Sequence, residues 1–187
     1  MALPSTPEPK GSGNYFKPAK DSKTRVRILS DFIEFDLGWL NKVPVRKPVG
    51  SKWNPSEHDA PQGQFKNEPR MAWACEVYNY VTGRHQVWEI PQPSVRDELR
   101  KLDSSPYWGD LRGYDIEVTR VDGAKVTYSV MGIPNTKERS EVVEAEFNRV
   151  HAFDSFYLLE LMTNGDPYAP KTPVQSRNMV LDSDIPF

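Results

Sequence analysis

Two stretches of this chain set aromatic rings among cations at close spacing. WACEVYNYVTGRHQVWEI, residues 73–90, carries Tyr78, Tyr80 and Trp88 beside Arg84. WLNKVPVRKPVGSKW, residues 39–53, places Lys42, Arg46, Lys47 and Lys52 between Trp39 and Trp53. Arg25 and Arg27 add two guanidinium groups in TRVRIL. Rings offer flat faces on which unpaired bases stack, at about 1–3 kcal/mol per base, while cations follow the phosphates. The combination points to single-stranded nucleic acid held with little regard to its sequence. The competing explanation for the rings is a second hydrophobic contact under C-terminal helices, and for the basic stretch an ordinary solvated loop.

Constellations for covalent chemistry are missing. The chain has no Gly-rich phosphate loop, no His-Glu-x-x-His and no Gly-x-Ser-x-Gly. Its one cysteine, Cys75, falls in an apolar run with no activating base beside it, and excludes an intramolecular disulfide. His58, His85 and His151 are far apart in sequence, so neither a structural metal nor a cofactor is expected. These absences argue against an enzyme. No run of about eighteen apolar residues exists to span a membrane, and the start MALPSTPEPKGSG lacks signal-peptide order, so a cytoplasmic protein is expected.

The net charge of −2 conceals a polarity. Residues 1–53 carry ten Lys and Arg against five Asp and Glu, whereas residues 138–187 carry four against nine. A basic front suits a polyanion, and an acidic back suits competition with it or recruitment of something else. The end itself, LDSDIPF, sets Asp182 and Asp184 before Ile185, Pro186 and Phe187. Two apolar side chains, a stiffening proline and a terminal carboxylate suit capture by a pocket with a basic rim on another protein.

These residues must be positioned by a framework that the periodicities describe. Residues 1–22 are rich in Pro, Ser and Gly and read as a flexible arm, docking at NYFKP. TRVRILSDFIEF alternates as a first strand, and the breaker-rich stretch from Trp39 to Pro69 reads as a long loop. A hairpin follows around VTG, with Gly83 closing a three-residue loop that pairs Tyr80 with Arg84. In that register Tyr78, Tyr80, Arg84, Gln86 and Trp88 share an open face, and Trp73, Cys75, Val77 and Val87 face the core. Pro93 and Ser94 start a helix carrying Val95, Leu99 and Leu102, and a second hairpin turns at Asp122-Gly123. Residues 138–163 read as helical, and 166–187 as a disordered acidic tail.

The order strand, loop, hairpin, helix, hairpin predicts a mainly β domain over residues 23–165 with appended helices. Its architecture would be the five-stranded OB-fold barrel, with a long first inter-strand loop and disordered termini.

A resemblance agrees with this reading. DSDIPF is similar to the Asp-Asp-Asp-Ile-Pro-Phe end of bacterial single-stranded DNA-binding proteins, the peptide through which that family recruits replication and repair enzymes. Ser183 stands where that pattern has an acid. NYFKPAKDSKTRVRIL, WACEVYNYVTGRHQVWEI and GYDIEVTR resemble the single-stranded DNA-binding proteins of tailed bacteriophages, over about residues 14–134. The resemblance implies an OB-fold, a role in phage replication, recombination and repair in the bacterial cytoplasm, and partner proteins held by the tail. The cysteine and histidine spacing of the zinc-containing phage relatives is absent, and zinc is not carried over. The C-terminal helices are free to complete the core, cover the groove or mediate self-association. A rival reading keeps the barrel as a protein- or glycan-binding module, whose binding would lack the salt dependence of phosphate contacts.

Overall fold

A computed structural model describes residues 13–61 and 67–170. Eight strands form one mixed sheet, helices pack on it, and no described helix is long and apolar enough to cross a membrane. The chain is mainly β, as the alternating runs predict.

The expected first strand is two. β2 (Ser22–Ile28) and β3 (Ile33–Leu40) run one after the other along one edge of the ten-residue β5 (Arg70–Asn79). Val26–Ile28 pairs with its far half and Ile33–Leu37 with its near half. Between them Ser30 turns the chain, and its hydroxyl accepts the amide N–H of Glu76 at 3.0 Å. The breaker-rich stretch is likewise partly regular. β4 (Val43–Lys47) folds back on β3 as a hairpin, with Asn41 and Lys42 both at positive φ in a two-residue turn.

The hairpin of β5 and β6 (Arg84–Ile90) has a register one residue away from the expected one. Asn79, not Tyr80, pairs with Arg84, which leaves a four-residue loop. Asn79 organises that loop: its side-chain oxygen accepts the Val81 N–H at 2.9 Å and its carbonyl the Gly83 N–H at 2.8 Å, with Gly83 at φ 64°. Side chains alternate with period two, so a slip of one residue turns the whole partner strand over. Trp88 therefore stands opposite Cys75 and joins the core of Val26, Ile28, Trp73, Val77 and Ile116. Val87 moves to the other face, against Phe35, Leu37 and Ala74.

Both faces of the sheet centre are covered. α1 (Pro93–Asp103) lays Val95 and Leu99 on the first core, the spacing its sequence predicts. β7 (Asp115–Asp122) and β8 (Val126–Ile133) complete the sheet beside β2, contributing Ile116 and Val118 to that core. The opposite face lies under α2 (Lys137–His151) and the 3-10 turn Leu158–Thr163. Val150, Phe156, Leu158 and Leu161 cover one cluster, and Val143 closes a smaller one with Leu29 and Tyr78.

The ends add to this body. β1 (Tyr15–Phe16) pairs in parallel with β6, setting Phe16 edge-on to Trp88 at 5.3 Å. Tyr168, in the expected tail, packs against His85 and Phe156. The remaining residues of the expected arm and tail, 1–12 and 171–187, lie outside the described residues.

Candidate nucleic-acid interface

The structure divides the expected site into buried members and open ones. Trp88 is 2% and Tyr78 5% exposed, so neither presents a ring to solvent, and their assignment to an open face is corrected. For Trp88 the cause is the register; for Tyr78 it is the lid of α2. Arg27 is corrected too. It reaches inward to Asp115, donating from Nε at 2.9 Å and from the terminal nitrogen at 2.6 Å, with side chains 1% and 0% exposed. Tyr80, half-buried, donates its hydroxyl to the same Asp115 oxygen at 2.9 Å. Burial, then the Asp115 charge and this hydrogen bond, push the Tyr80 phenol well above its ordinary range.

Arg46 is also turned inward. Its guanidinium donates from Nε to Glu89 at 2.6 Å, and its backbone N–H donates to the Asn164 side chain at 2.7 Å, tying β4 to the C-terminal turn. A guanidinium already neutralised inside the protein has little left to offer a phosphate.

The open members gather on the arm formed by β3 and β4. Phe35 and Leu37 point from β3 into the core, and Trp39, next on the same face, lies beyond the cover and is 41% exposed. Pro44 faces it across the ladder. Lys42 stands exposed at the tip of the turn, and among the described residues no carboxylate pairs with it or with Lys52.

The other face of the arm is built around Gly38. Trp53 lies so close that a Cβ on Gly38 would come within 2.8 Å of its ring. Lys47 holds its ammonium 4.9 Å from the Trp53 centroid and 2.7 Å from Glu57. The Asn54 backbone amide and the Lys47 ammonium keep the exposed Glu57 carboxyl below its usual range. The following loop is pinned to the arm where Asp36 accepts the Gly50 N–H and Asp59 the Asn41 N–H, at 2.9 and 2.8 Å.

Arg25 and Arg84 lie at the other end of β5. Arg84 is exposed beside Asn79, and the Arg25 carbonyl accepts the Tyr80 N–H at 3.2 Å. Neither guanidinium has an ion pair among the described residues. Nine residues separate the arm's pairing position at Arg70 from Asn79. At about 3.3 Å per residue the base of the arm and the Asn79 end of β5 are therefore about 30 Å apart along the strand.

Sequence reasoning missed one constellation. His85 and His151, on β6 and at the end of α2, bring their Nε2 atoms within 2.8 and 2.6 Å of one oxygen of Glu76 on β5. Glu76 and His85 sit only nine residues apart on paired strands, a relation visible in the sequence only once the register is known. The tail residues Asp182, Asp184, Ile185, Pro186 and Phe187 lie outside the described residues. No protein-family model matches this chain, and no curated protein matches it either.

Proposed function

We propose that this protein binds single-stranded DNA without sequence preference, using the β3–β4 arm as its principal contact. The observation that carries the reading is Trp39, an open ring on the strand hairpin whose turn carries Lys42, a cation with no carboxylate partner among the described residues. Bases stack on the ring, and Lys42 and Lys52 follow the phosphates. At the far end of β5, Arg25 and Arg84 add cations on opposite faces of the sheet. The protein acts without catalysis, in the cytoplasm of a bacterial host, coating strands during DNA replication, recombination and repair. Its C-terminal tip recruits partner proteins.

We read the sheet as a variant of the OB-fold. β2 and β3 together behave as one sharply bent strand that pairs with β5 on one side and β7 on the other, while β5 pairs with β6 and β7 with β8. α1 lies between β6 and β8, packing on both where a closed barrel would join them. This supports a partly open barrel of that class.

The test is fluorescence titration with oligo(dT) and with duplex of equal length, over a range of salt. Binding of the single strand that weakens steeply with salt and falls in Trp39→Ala supports the reading. An affinity that barely changes with salt favours a protein- or glycan-binding module.

A further inference from the structure

The hydroxyl of Tyr168 meets the ring nitrogen of His85 that faces away from Glu76. Its oxygen lies 2.9 Å from His85 Nδ1, and 3.2 and 3.3 Å from the carbonyl oxygens of His85 and Asn14. The phenol can accept the Nδ1–H of His85 while giving its own proton to one of these carbonyls. That tautomer leaves a lone pair on His85 Nε2. In that arrangement Nε2 faces Oε2 of Glu76 at 2.8 Å, lone pair to lone pair, where the two side chains are 0% and 1% exposed. A metal ion, or a proton on Nε2, reconciles the two. The same oxygen has His151 Nε2 at 2.6 Å on its other side.

We propose that Glu76, His85 and His151 bind a first-row divalent transition metal, with zinc the best match. One carboxylate and two imidazoles suit zinc, whereas magnesium and calcium want oxygen ligands throughout. The three donor atoms lie within 4.8 Å of one another. Zinc bonds of about 2.0–2.2 Å place ligand atoms about 3.3 Å apart. Loading therefore draws the two imidazole nitrogens together and opens each nitrogen-to-oxygen contact by about 0.6 Å. His151 can supply this movement, because it ends α2 and its side chain is 20% exposed.

Tyr168 supports the site as the outer partner that orients a ligating histidine. Phe147 stacks on His151 at 4.1 Å, and Phe156 sits edge-on to both imidazoles. The rings make this an enclosed clasp joining α2 to β5 and β6. Its consequence is structural: the metal fastens the cover that keeps Tyr78 from solvent. This inference is independent of nucleic-acid binding.

The test adds zinc, and separately cobalt, to the full-length protein freed of metal by chelation. Expected are one bound ion per chain, the visible absorption of four- or five-coordinate cobalt, and a Tm that rises with zinc and falls again with chelator. His151→Ala should lose all three and Tyr168→Phe should bind about 10–100-fold more weakly. His58→Ala, lacking only the remaining histidine, should behave as the wild type. Circular dichroism shows whether each variant is folded. Histidine ring ¹⁵N shifts give a readout without any variant: zinc should remove the Nε2 proton of His85 and His151. No stoichiometric ion, or shifts showing protonated imidazolium unchanged by zinc, overturns the proposal, as does equal binding by wild type and a folded His151→Ala.

Discussion

Trp88 stands opposite Cys75 across the β5–β6 ladder, and its ring lies in the core against Phe16. A tryptophan at 2% exposure is a packing residue. Trp88→Ala should destabilise the fold by about 3–5 kcal/mol in urea denaturation. Loss of stability below about 1 kcal/mol would mean that the register found here is wrong.

Arg27 and Asp115 form a buried pair that is costly to break on one side only. Arg27→Ala leaves a buried carboxylate beside Arg139, 3.0 Å away, and should cost about 3–5 kcal/mol. The double variant Arg27→Met with Asp115→Leu should recover much of that loss, because it removes both desolvated charges. Thermal or chemical denaturation of the single and double variants measures the difference. A double variant no more stable than Arg27→Ala would contradict the pairing argument.

Gly38 is required by the tryptophan lying over it. In Gly38→Ala the new methyl meets the rigid Trp53 ring at 2.8 Å, and the ring must leave its place beside Lys47. The expected cost is about 1–3 kcal/mol. Near-ultraviolet circular dichroism should report the displaced indole, whereas an unchanged spectrum would place Trp53 elsewhere.

Alkaline stability follows in part from two of the buried phenols. Burial holds Tyr114 up to about 12 from an ordinary 10.0, and burial with the Asp115 contacts raises Tyr80 further. Between the two values the unfolded chain gives up protons that the folded one keeps. Stability from these groups is complete below pH 10 and lost as pH rises toward the folded values. Tyrosinate absorbance for these groups should therefore appear together with unfolding. Tyr80 and Tyr114 themselves titrating near pH 10 in the folded protein, followed by their ring ¹³C shifts, would contradict it.

The sequence made the helix at Pro93 and the turn after Asp122 legible because each carries its own local signals, a proline start with apolar residues at helical spacing and a glycine between alternating runs. The first hairpin was not legible to one residue. Gly83 closes a loop of either three or four residues, and only the hydrogen bonds of Asn79 select the longer, which decides where every ring on β6 points. The β3–β4 turn is hidden for a different reason. Its Asn41-Lys42 places a lysine at φ 67°, and Pro44 follows within the returning strand, so neither residue advertises a hairpin. Arg25 and Arg27 look equivalent in TRVRIL, yet Arg27 meets Asp115, 88 residues on, through a pairing that no local pattern encodes.

Single-strand binding turns on the β3–β4 arm. Titration of wild type and Trp39→Ala with oligo(dT), read from the remaining tryptophan fluorescence or by anisotropy of a labelled strand, tests it most directly. The expected result is a wild-type affinity that falls linearly with salt on logarithmic axes, and a Trp39→Ala protein that is fully folded and weaker by about 1–3 kcal/mol. Lys42→Ala should reduce the salt slope by about one contact. Equal binding by wild type and both variants, or no binding to single strands at low salt, would contradict it.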